Sequence, residues 1–358
     1  MAHEHKASLL LQKHGKLEVG TRPTPVPQGK QALVKVTAAA VNPLDWKIID
    51  YGVWIEKFPA VLGFDGAGVI HAVGPEVTGF KAGDKVFFQG NVDPVDQGVY
   101  QQYSIVDTEL LAKTPNNIND DQASTIPVCA VTAYFGLFQK TGISPPLSGP
   151  TASGKSILIL GGSSSVGQFG EQAFISRIFA RFLINLYPAI QFARLAGFST
   201  IVTTASSQHA DFLKSLGATH LFDRNVDVKT IQSAFETPVS FVFDTVGTET
   251  TQLLAFDVLT TPSLVPGARL SLLLTPVDSL KEKNSGDKVN VDHVFGSSYV
   301  FRDLSIPFWQ KIEEWVKNGE IVPNRVQLVN GGLAGVPEAL DLSRKGVSGV
   351  KIVVRPQE

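Results

Sequence analysis

Short apolar runs separated by glycine and proline fill the first third of the chain. Runs of strand length occupy residues 32–38, 66–73 and 85–88, and turn signals such as Gly74-Pro75 recur between them. Short strands with regularly spaced turn residues are typical of β-sandwiches and barrels. We therefore predict a β-barrel-like unit that extends to about residue 127.

From about residue 128 the pattern changes to apolar strands that alternate with helix-compatible segments such as 209–216. The predicted strands are 156–160, 199–204, 241–244 and 270–274. Continuous apolar strands between helices are typical of a parallel sheet that is covered on both faces. The pattern predicts an α/β unit, followed by an amphipathic helix at 306–318 and a last strand at 350–354.

Length and charge narrow the class of protein. At roughly 150 residues per domain, the 358 residues suffice for two domains or three. The formal net charge of −2 gives no reason to expect a nucleic acid or an acidic membrane surface as a partner. The apolar stretch 173–192 is interrupted by Arg177 and Arg181, and the start of the chain has no signal-peptide pattern. We expect a cytoplasmic protein without a membrane span.

The sequence offers few candidate metal ligands. Cys129 is the only cysteine, which excludes an internal disulfide and a multi-cysteine zinc site. The seven histidines are scattered, with no close pair on one helix face. Because catalytic zinc needs three protein ligands, we expect no metal.

A glycine-rich turn follows the predicted strand 156–160. It reads Gly-Gly-Ser-Ser-Ser-Val-Gly from Gly161 to Gly167 and leads into a helix-like segment. Glycine lets the backbone approach a pyrophosphate, whose charge then meets the N-terminus of the following helix. The turn predicts a dinucleotide site, with a purely structural strand–helix turn as the alternative.

A second glycine-rich motif matches the phosphate loop of nucleoside triphosphatases. It reads Gly-Pro-Thr-Ala-Ser-Gly-Lys-Ser at 149–156. A phosphate loop follows a strand and opens a helix, whereas this motif precedes a strand. We interpret the match as accidental.

The end of the second parallel strand indicates the type of cofactor. A cofactor with a free ribose diol usually meets Asp or Glu about 20 residues after the glycines. Here the chain continues with Ser206, Ser207 and His209. No acid occurs before Asp211, and Arg224 can supply positive charge. Because these residues leave room for a 2′-phosphate, we expect NADPH rather than NADH.

Several motifs occur in a fixed order along the chain. They are Asn42-Pro-Leu-Asp-Trp-Lys47, Leu62-Gly-Phe-Asp-Gly-Ala-Gly68, Gly83-Asp-Lys-Val86, Gly98-Val-Tyr-Gln-Gln-Tyr103, Gly161-Gly-Ser-Ser-Ser-Val-Gly167, Leu216-Gly-Ala218, Phe243-Asp-Thr-Val-Gly247 and Ser348-Gly-Val-Lys-Ile-Val353. The set resembles the zinc-independent branch of the medium-chain dehydrogenase/reductase superfamily over essentially the whole chain. Within it, the chain is most similar to fungal trans-acting enoyl reductases of polyketide synthases and their ToxD-like relatives, with quinone reductases as close cousins.

The chain departs from the zinc-dependent alcohol dehydrogenases of that superfamily. Those enzymes carry a cysteine near the position of Asn42 and Gly-His-Glu in place of Gly63-Phe64-Asp65. Both zinc ligands are missing here, in agreement with the cysteine count.

The resemblance implies a two-domain α/β fold. A GroES-like β-barrel catalytic domain would comprise residues 1–127 and be completed by 290–358. A Rossmann dinucleotide-binding domain, with a doubly wound parallel sheet, would comprise residues 128–289. The active site would lie in the cleft between the two domains.

The resemblance also assigns residues to the cofactor. The expected ligands are Gly162, Ser163, Ser164, Ser165 and Val166 for the pyrophosphate, Ser206 for the adenosine phosphate, Asn42, Leu273, Phe295 and Gly296 around the nicotinamide, and Lys351 from the last strand.

The reaction implied by the resemblance passes a hydride from NADPH to the β-carbon of an α,β-unsaturated carbonyl compound. Negative charge then develops on the carbonyl oxygen, and Lys47 and Thr132 are the expected donors that stabilise it. Mitochondrial enoyl reductases place a tyrosine shortly after the Asn-Pro motif. Tyr51 is the nearby tyrosine here, displaced in register, and is the candidate proton donor.

Two other functions stay open on the sequence alone. A quinone reductase would use the same cofactor site with a different substrate cleft. A cofactor-binding but catalytically silent module is the alternative from another class. The expected partners are a small-molecule or carrier-bound enoyl substrate and, by the resemblance, a polyketide synthase.

One segment departs from the family pattern. In the family, a helix follows almost directly after the position of Phe169. In this chain the matching helix sequence begins only at Ala189, so 170–188 is a suspected insertion of 188 − 170 + 1 = 19 residues. Its first two codons, for Gly-Glu, can contain the 5′ splice signal GTGAG, and the codons at its end can supply a terminal CAG. Excision would remove 19 × 3 = 57 nucleotides and keep the frame. We interpret the segment as a translated intron, with a surface insertion as the alternative.

Overall fold

A computed structural model of the protein describes residues 3–161 and 187–358. The strands in these ranges are β1 (Glu4–Leu10), β2 (Leu17–Pro23), β3 (Gln31–Ala40), β4 (Ala60–Val61), β5 (Asp65–Val73), β6 (Lys85–Gln89), β7 (Tyr103–Asp107), β8 (Leu111–Lys113), β9 (Ser156–Leu160), β10 (Thr200–Thr204), β11 (His220–Phe222), β12 (Phe241–Asp244), β13 (Arg269–Leu272), β14 (Asn290–His293), β15 (Val326–Leu328) and β16 (Lys351–Val354). The helices are α1 (Pro43–Tyr51), α2 (Asp120–Ser124), α3 (Pro127–Phe138), α4 (Tyr187–Leu195), α5 (Ala210–Leu216), α6 (Val228–Gln232), α7 (Glu249–Thr260), α8 (Asp278–Lys283), α9 (Arg302–Lys317) and α10 (Val336–Lys345). The expected pyrophosphate ligands Gly162 to Val166, and residues 170–186 of the suspected insertion, lie outside the described ranges.

The chain divides into two compact units. Unit 1 comprises Met1–Val128, Ser297–Gly319 and Pro323–Glu358, and unit 2 comprises Cys129–Gly296 and Glu320–Val322. The domain limits expected from the sequence, 1–127 with 290–358 and 128–289, stay a prediction.

Unit 1 is built from β-sheets. One sheet has the order β2-β1-β4, and a larger one has the order β15-β16-β3-β5-β6-β8, with β7 also paired to β3. β3 runs antiparallel to β5, β7 and β16, and most of its side chains are buried. Because α1 begins directly after this central strand, its first residues are anchored to the core of unit 1.

Unit 2 contains a parallel sheet in the order β11-β10-β9-β12-β13-β14. Each neighbouring pair of these strands is parallel. Its buried core includes Leu158, Leu160, Val202, Val242, Leu270 and Leu272. The predicted doubly wound parallel sheet is confirmed. The chain leaves β9 toward β10 on one side and later returns to β12 on the other, and ligands of such sheets bind outside the carboxyl ends of the strands at this reversal.

The observed elements differ from the predicted ones mainly at their ends. β9 and β12 coincide with the predicted strands 156–160 and 241–244, because all their residues except Ser156 and Asp244 are apolar and buried. The predicted helix 306–318 instead begins at Arg302 and ends at Lys317. Its earlier start is held by the Arg302 guanidinium, which donates to Asp107 at 2.9 Å and Glu109 at 2.7 Å.

Candidate functional site

Helix α1 carries three of the predicted site residues of unit 1. Asn42 is its N-cap, Lys47 lies one turn further, and Tyr51 is its last residue. The backbone N–H of Asn42 donates to Asp45 Oδ2 at 2.7 Å, as in a capping box. Pro43 occupies the first helical position, where its missing N–H costs nothing. Local sequence therefore determines where α1 begins.

The side chain of Lys47 is buried, at 1% exposure. Its ammonium lies 5.4 Å from the centre of the Trp46 indole, within the range of a cation–π interaction. Tyr51, by contrast, is half-buried at the other end of the helix. A buried ammonium is unusual in proteins, and at an active site it can stabilise negative charge on a reacting oxygen.

Asp65, the first residue of β5, is fully buried and is bonded to three residues of unit 1, namely Asn42, Val128 and Lys351. Its Oδ2 accepts from the Asn42 side-chain amide at 2.9 Å and lies 2.8 Å from the Lys351 ammonium. Its Oδ1 accepts from the backbone N–H of Val128 at 2.6 Å, in the first turn of α3. One carboxylate thus joins the starts of α1 and α3 to β16.

The structure brings together Asn42 and Lys351, two of the expected cofactor ligands. The Lys351 ammonium donates to the Asn42 side-chain carbonyl at 2.7 Å, so both ends of that amide are bound to buried charged groups. Sequence reasoning missed Asp65 as their common partner. The signal was present, because Asp65 stands where the zinc enzymes carry the glutamate of Gly-His-Glu.

A second buried carboxylate lies on α1 itself. Asp45 Oδ2 accepts from the Tyr100 hydroxyl at 2.8 Å, while Oδ1 accepts no hydrogen bond from the described residues. Burial raises the pKa of Asp45 to about 7, although the bonds from Asn42 and Tyr100 oppose this shift. Burial, together with the neighbouring Asp45 carboxylate, also raises the pKa of Tyr100 above its usual range.

The predicted cofactor residues of unit 2 follow the carboxyl ends of parallel strands. Ser206 and Ser207 follow β10, Leu273 follows β13, and Phe295 and Gly296 follow β14. The carboxyl ends of parallel strands lie at one edge of the sheet, which is where nucleotides bind in doubly wound folds. The sequence assigned these residues to one ligand, and the topology of unit 2 places them at one edge.

The segment after β10 forms a short 3-10 turn, Ser207–His209. Ser206 precedes the turn and is half-buried, Ser207 is exposed, and His209 is 7% exposed. Arg224 follows the neighbouring strand β11 and is exposed. Hydroxyls, an imidazole and a guanidinium at this edge suit a phosphate better than a ribose diol.

Thr132 and Gly296 lie in direct contact within unit 2. A Cβ built on Gly296 would come within 2.1 Å of the Thr132 hydroxyl oxygen. Only glycine therefore leaves room for this hydroxyl beside the end of β14. The contact brings the predicted donor Thr132, which lies on α3, to a residue expected to border the nicotinamide.

Asp244, at the carboxyl end of β12, is a further buried acid that sequence reasoning did not assign. Its Oδ1 accepts from the N–H groups of Val246 and Gly247, and its Oδ2 accepts from the Thr251 hydroxyl. Burial raises its pKa to about 6, against the effect of these bonds. The carboxylate shapes the turn between β12 and α7.

The described residues fit a nicotinamide dinucleotide at the carboxyl edge of the unit 2 sheet. Gly161 directly follows β9 with a φ of +83°, which favours glycine, and no carboxylate follows β10 before Asp211. Within 3–161 and 187–358, no group of three His, Cys, Asp or Glu side chains could hold a metal ion. None of the helices described is long and apolar enough to span a membrane.

Two sequence families match the chain. Residues 28–116 match the alcohol dehydrogenase GroES-like domain, and residues 188–262 match the family described as zinc-binding dehydrogenase. The GroES-like part of the predicted fold is thereby confirmed beside the parallel sheet.

Two relatives that cover most of the chain are named trans-enoyl reductases. The chain is 32% identical over 391 aligned residues to the trans-enoyl reductase tndF of Aspergillus flavipes, with 99% of each chain covered. It is also 32% identical over 350 residues to the trans-enoyl reductase himH of Aspergillus japonicus, covering 94% of this chain and 93% of the relative.

Solved structures share the fold at lower identity. An alcohol dehydrogenase superfamily protein from Novosphingobium aromaticivorans has a TM-score of 0.77 at 22% identity, covering 97% of this chain and 99% of its own. The quinone oxidoreductase from Coxiella burnetii has a TM-score of 0.71 at 22% identity, with 99% of each chain covered.

Proposed function

Because the chain belongs to the medium-chain dehydrogenase/reductase superfamily, we propose that it reduces the C=C bond of an α,β-unsaturated carbonyl compound with NADPH and without zinc. The observation that carries this proposal is the similarity to a trans-enoyl reductase over 99% of both chains. The chain is an oxidoreductase of a family that uses nicotinamide cofactors. The cofactor type, the substrate and the independence from zinc are the proposed part.

Lys47 is the residue to which we assign stabilisation of the reacting oxygen. A nicotinamide bound at the carboxyl edge of unit 2 would supply the hydride. Addition of the hydride to the β-carbon would leave an enolate, with negative charge on the former carbonyl oxygen. An ammonium already removed from water, as on Lys47, stabilises that charge more than it stabilises the neutral substrate. The Thr132 hydroxyl, held against Gly296, is the second donor that we propose.

The proton donor is proposed to be Tyr51. Reduction of the C=C bond ends with protonation of the α-carbon, and a phenol can supply this proton directly or through water. Tyr51 is half-buried at the end of the helix that also carries Lys47. Asp45 and Tyr100 do not have this role in our proposal, because they are fully buried and bonded to each other.

Preference for NADPH is supported by the segment after β10. Ser206, Ser207 and His209 leave that edge without a carboxylate, and Arg224 adds positive charge after the adjacent strand. We assign the 2′-phosphate to these residues, and the nicotinamide end to Leu273, Phe295 and Gly296 of the same unit. The expected ligands Asn42 and Lys351 are bound to each other and to Asp65 within unit 1, and their assignment to the cofactor stays a prediction.

Zinc independence is supported by what replaces the zinc ligands. Phe64 stands where the zinc enzymes have a histidine, and this chain has no cysteine near Asn42, where those enzymes carry one. The Asn42 amide is bound to Asp65 and Lys351, so a cation already balances the carboxylate there. We therefore expect full activity after treatment with a chelator.

The substrate class follows from the relatives' name. A trans-acting enoyl reductase serves a separate enzyme, so we propose a carrier-bound enoyl thioester as substrate and a polyketide synthase as partner. Quinone reduction stays the second candidate reaction.

The test is an assay of purified protein for NADPH oxidation with an enoyl thioester, a simple enone, a quinone, or no acceptor. A thermal-shift titration with NADPH and NADH accompanies it. Turnover with the enoyl thioester or the enone, but not with the quinone, supports the proposal. Turnover with the quinone alone favours a quinone reductase, and binding without any turnover favours a silent module.

A further inference from the structure

The last peptide of β9 is bound on both sides by threonine side chains from the two neighbouring strands. The N–H of Gly161 donates to the Thr204 hydroxyl oxygen at 3.0 Å, and Thr204 ends β10. The carbonyl of Leu160 accepts from the Thr245 hydroxyl at 2.6 Å and from the Thr245 N–H at 3.1 Å. Thr245 directly follows β12 and is fully buried, and Thr204 is 5% exposed.

The Thr245 hydroxyl also lies 3.2 Å from the carbonyl oxygen of Gly161. A hydroxyl has one proton, so Thr245 shares it between the Leu160 and Gly161 carbonyls, with the shorter bond to Leu160. A peptide unit is planar, so holding its carbonyl also fixes the direction of the N–H on its other side. Thr204 and Thr245 thereby set the orientation in which the backbone leaves the sheet.

This orientation matters because pyrophosphate is recognised by backbone N–H groups of the turn after such a strand. We infer that Thr204 and Thr245 are positioning residues for the dinucleotide. They act through the backbone at Gly161 and need no contact with the cofactor. The inference rests on the proposed use of a nicotinamide dinucleotide and adds two residues to which the sequence analysis assigned no role.

A purely structural role is the competing explanation, and the same sheet offers a matched control. Thr203 lies next to Thr204 on β10, is fully buried, and donates its hydroxyl to the Ile159 carbonyl at 2.8 Å. Its bond also joins β10 to β9, but one residue further from the end of the strand. Loss of the Thr203 hydroxyl therefore measures how much a missing inter-strand hydrogen bond alone changes stability and NADPH affinity.

The experiment compares the isosteric variants Thr204→Val, Thr245→Val and Thr203→Val. We expect all three to lower the Tm by similar amounts. The Kd for NADPH, from titration of the cofactor fluorescence, should rise about ten-fold for Thr204→Val and Thr245→Val, which corresponds to about 1.4 kcal/mol, and less than about two-fold for Thr203→Val. Thr245→Ser keeps the hydroxyl and should restore most of the affinity.

The outcomes separate this inference from the proposed function. A wild-type protein that binds no nicotinamide dinucleotide refutes the cofactor assignment itself. A wild-type protein that binds NADPH, with Thr204→Val and Thr245→Val binding equally well, overturns the positioning role. Equal loss of affinity in Thr203→Val also overturns it, since the cause would then be general destabilisation. If Thr245→Val does not fold, Thr204→Val and Thr245→Ser decide the question.

Discussion

At the scale of single residues, unit 1 buries four ionisable side chains. Lys47, Asp45, Asp65 and Lys351 are all at most 4% exposed. Burying an ionised group is costly unless it is paired and hydrogen-bonded. Asp65 and Lys351 satisfy this condition with each other, whereas Asp45 responds with a raised pKa. Such perturbed groups cluster at functional sites more often than elsewhere.

The role of Lys47 can be tested by Lys47→Ala. Removing one donor to a developing oxyanion lowers turnover by about 10²-fold, and we expect NADPH affinity to change little. Steady-state kinetics with an enone and NADPH titrations measure the two quantities separately. Lys57→Ala, which removes an exposed ammonium beyond the end of α1, is the matched control. An unchanged kcat for Lys47→Ala would exclude its assigned role.

Cofactor preference is tested at Ser206. The wild-type protein should bind NADPH at least ten-fold more tightly than NADH, a difference of about 1.4 kcal/mol. Ser206→Asp places a carboxylate where a ribose diol is normally bound, so it should weaken NADPH more than NADH. Ser215→Asp adds the same charge at an exposed position on α5 and should leave the ratio unchanged. Equal wild-type affinities for the two cofactors contradict this prediction.

The raised pKa of Asp45 predicts a pH dependence of stability. Between pH 3.8 and about 7 the unfolded chain has lost this proton while the folded chain retains it. The folded state then binds more protons, so the free energy of unfolding falls as pH rises through this window. Asp45→Asn should flatten the slope. Part of the slope should remain in this variant, because the pKa of Asp244 is also raised, to about 6.

Urea unfolding at several pH values measures this slope. The exposed carboxylate Asp303, replaced by asparagine, controls for the loss of a charge alone. A slope in Asp45→Asn as steep as in the wild type would show that Asp45 does not titrate in this window.

At the residue scale, the sequence predicted those candidate site residues that lie in a short local motif. Asn42 and Lys47 are the first and last residues of one six-residue motif, and Lys351 lies in another. Asp65 and Thr245 were also inside recognised motifs, but their roles depend on partners in distant strands. The hydrogen-bond partner of a carboxylate or hydroxyl cannot be identified from the sequence when the partner lies in a distant strand, because only the folded sheet brings the two together.

At the scale of secondary-structure elements, the single carboxylate of Asp65 connects several elements. It joins β5 to α1, to α3 and to β16 through Asn42, Val128 and Lys351. Loss of this carboxylate therefore disturbs the ends of two helices and a strand together.

A double-mutant cycle of Asp65→Asn and Lys351→Met measures the strength of that link. Removing one partner of a buried ion pair costs about 3–5 kcal/mol, because the other charge is left unpaired. The double variant should therefore lose clearly less stability than the sum of the single variants. The exposed pair Asp278–Lys281 is the control, with a coupling of about 0–1 kcal/mol. Additive losses at Asp65 and Lys351 would contradict the link.

Elements with a strong pattern could be predicted and the others could not. β9 and β12 are continuous apolar runs, which a parallel sheet requires. Helix α3 is apolar on all sides because it is buried throughout, so it lacks the periodicity that distinguishes a helix. β2 has no fully buried residue and no clear alternation. Its pairing with β1 comes from tertiary context.

At the scale of the whole molecule, the suspected insertion 170–188 stays a prediction. The family match begins at residue 188, next to the resumption of family text at Ala189. The last two residues of the segment lie within α4, where the Tyr187 ring packs 5.0 Å from Phe212. Without the segment, Phe169 would take the helix position now held by Pro188. A proline is tolerated in the first turn of a helix but costs about 3 kcal/mol in its interior, so a helix that extended N-terminally from Ala189 would be more stable with Phe169 at this position.

Sequencing of the mature transcript decides between an intron and an insertion. A message that retains all 19 × 3 = 57 nucleotides as its only form refutes the intron. If the intron is real, deletion of 170–188 should raise both the Tm and the affinity for NADPH. A deletion variant that is less stable than the present chain would count equally against it, since Tyr187 and its packing would then be native features.

Unit 1 combines the N-terminal part of the chain, which is synthesised first, with the C-terminal part, which is synthesised last. Asp65 leaves the ribosome 351 − 65 = 286 residues before its partner Lys351. At about 5–20 residues per second, that interval lasts about 14–57 s. Throughout it, the carboxylate has no counter-charge and β3 has no β16 beside it. The last strand of the unit 2 sheet, β14, ends at His293 and is complete before Lys351 is made. A ribosome stalled just before residue 351 would therefore carry a chain with all strands of its parallel sheet and an unfinished first unit.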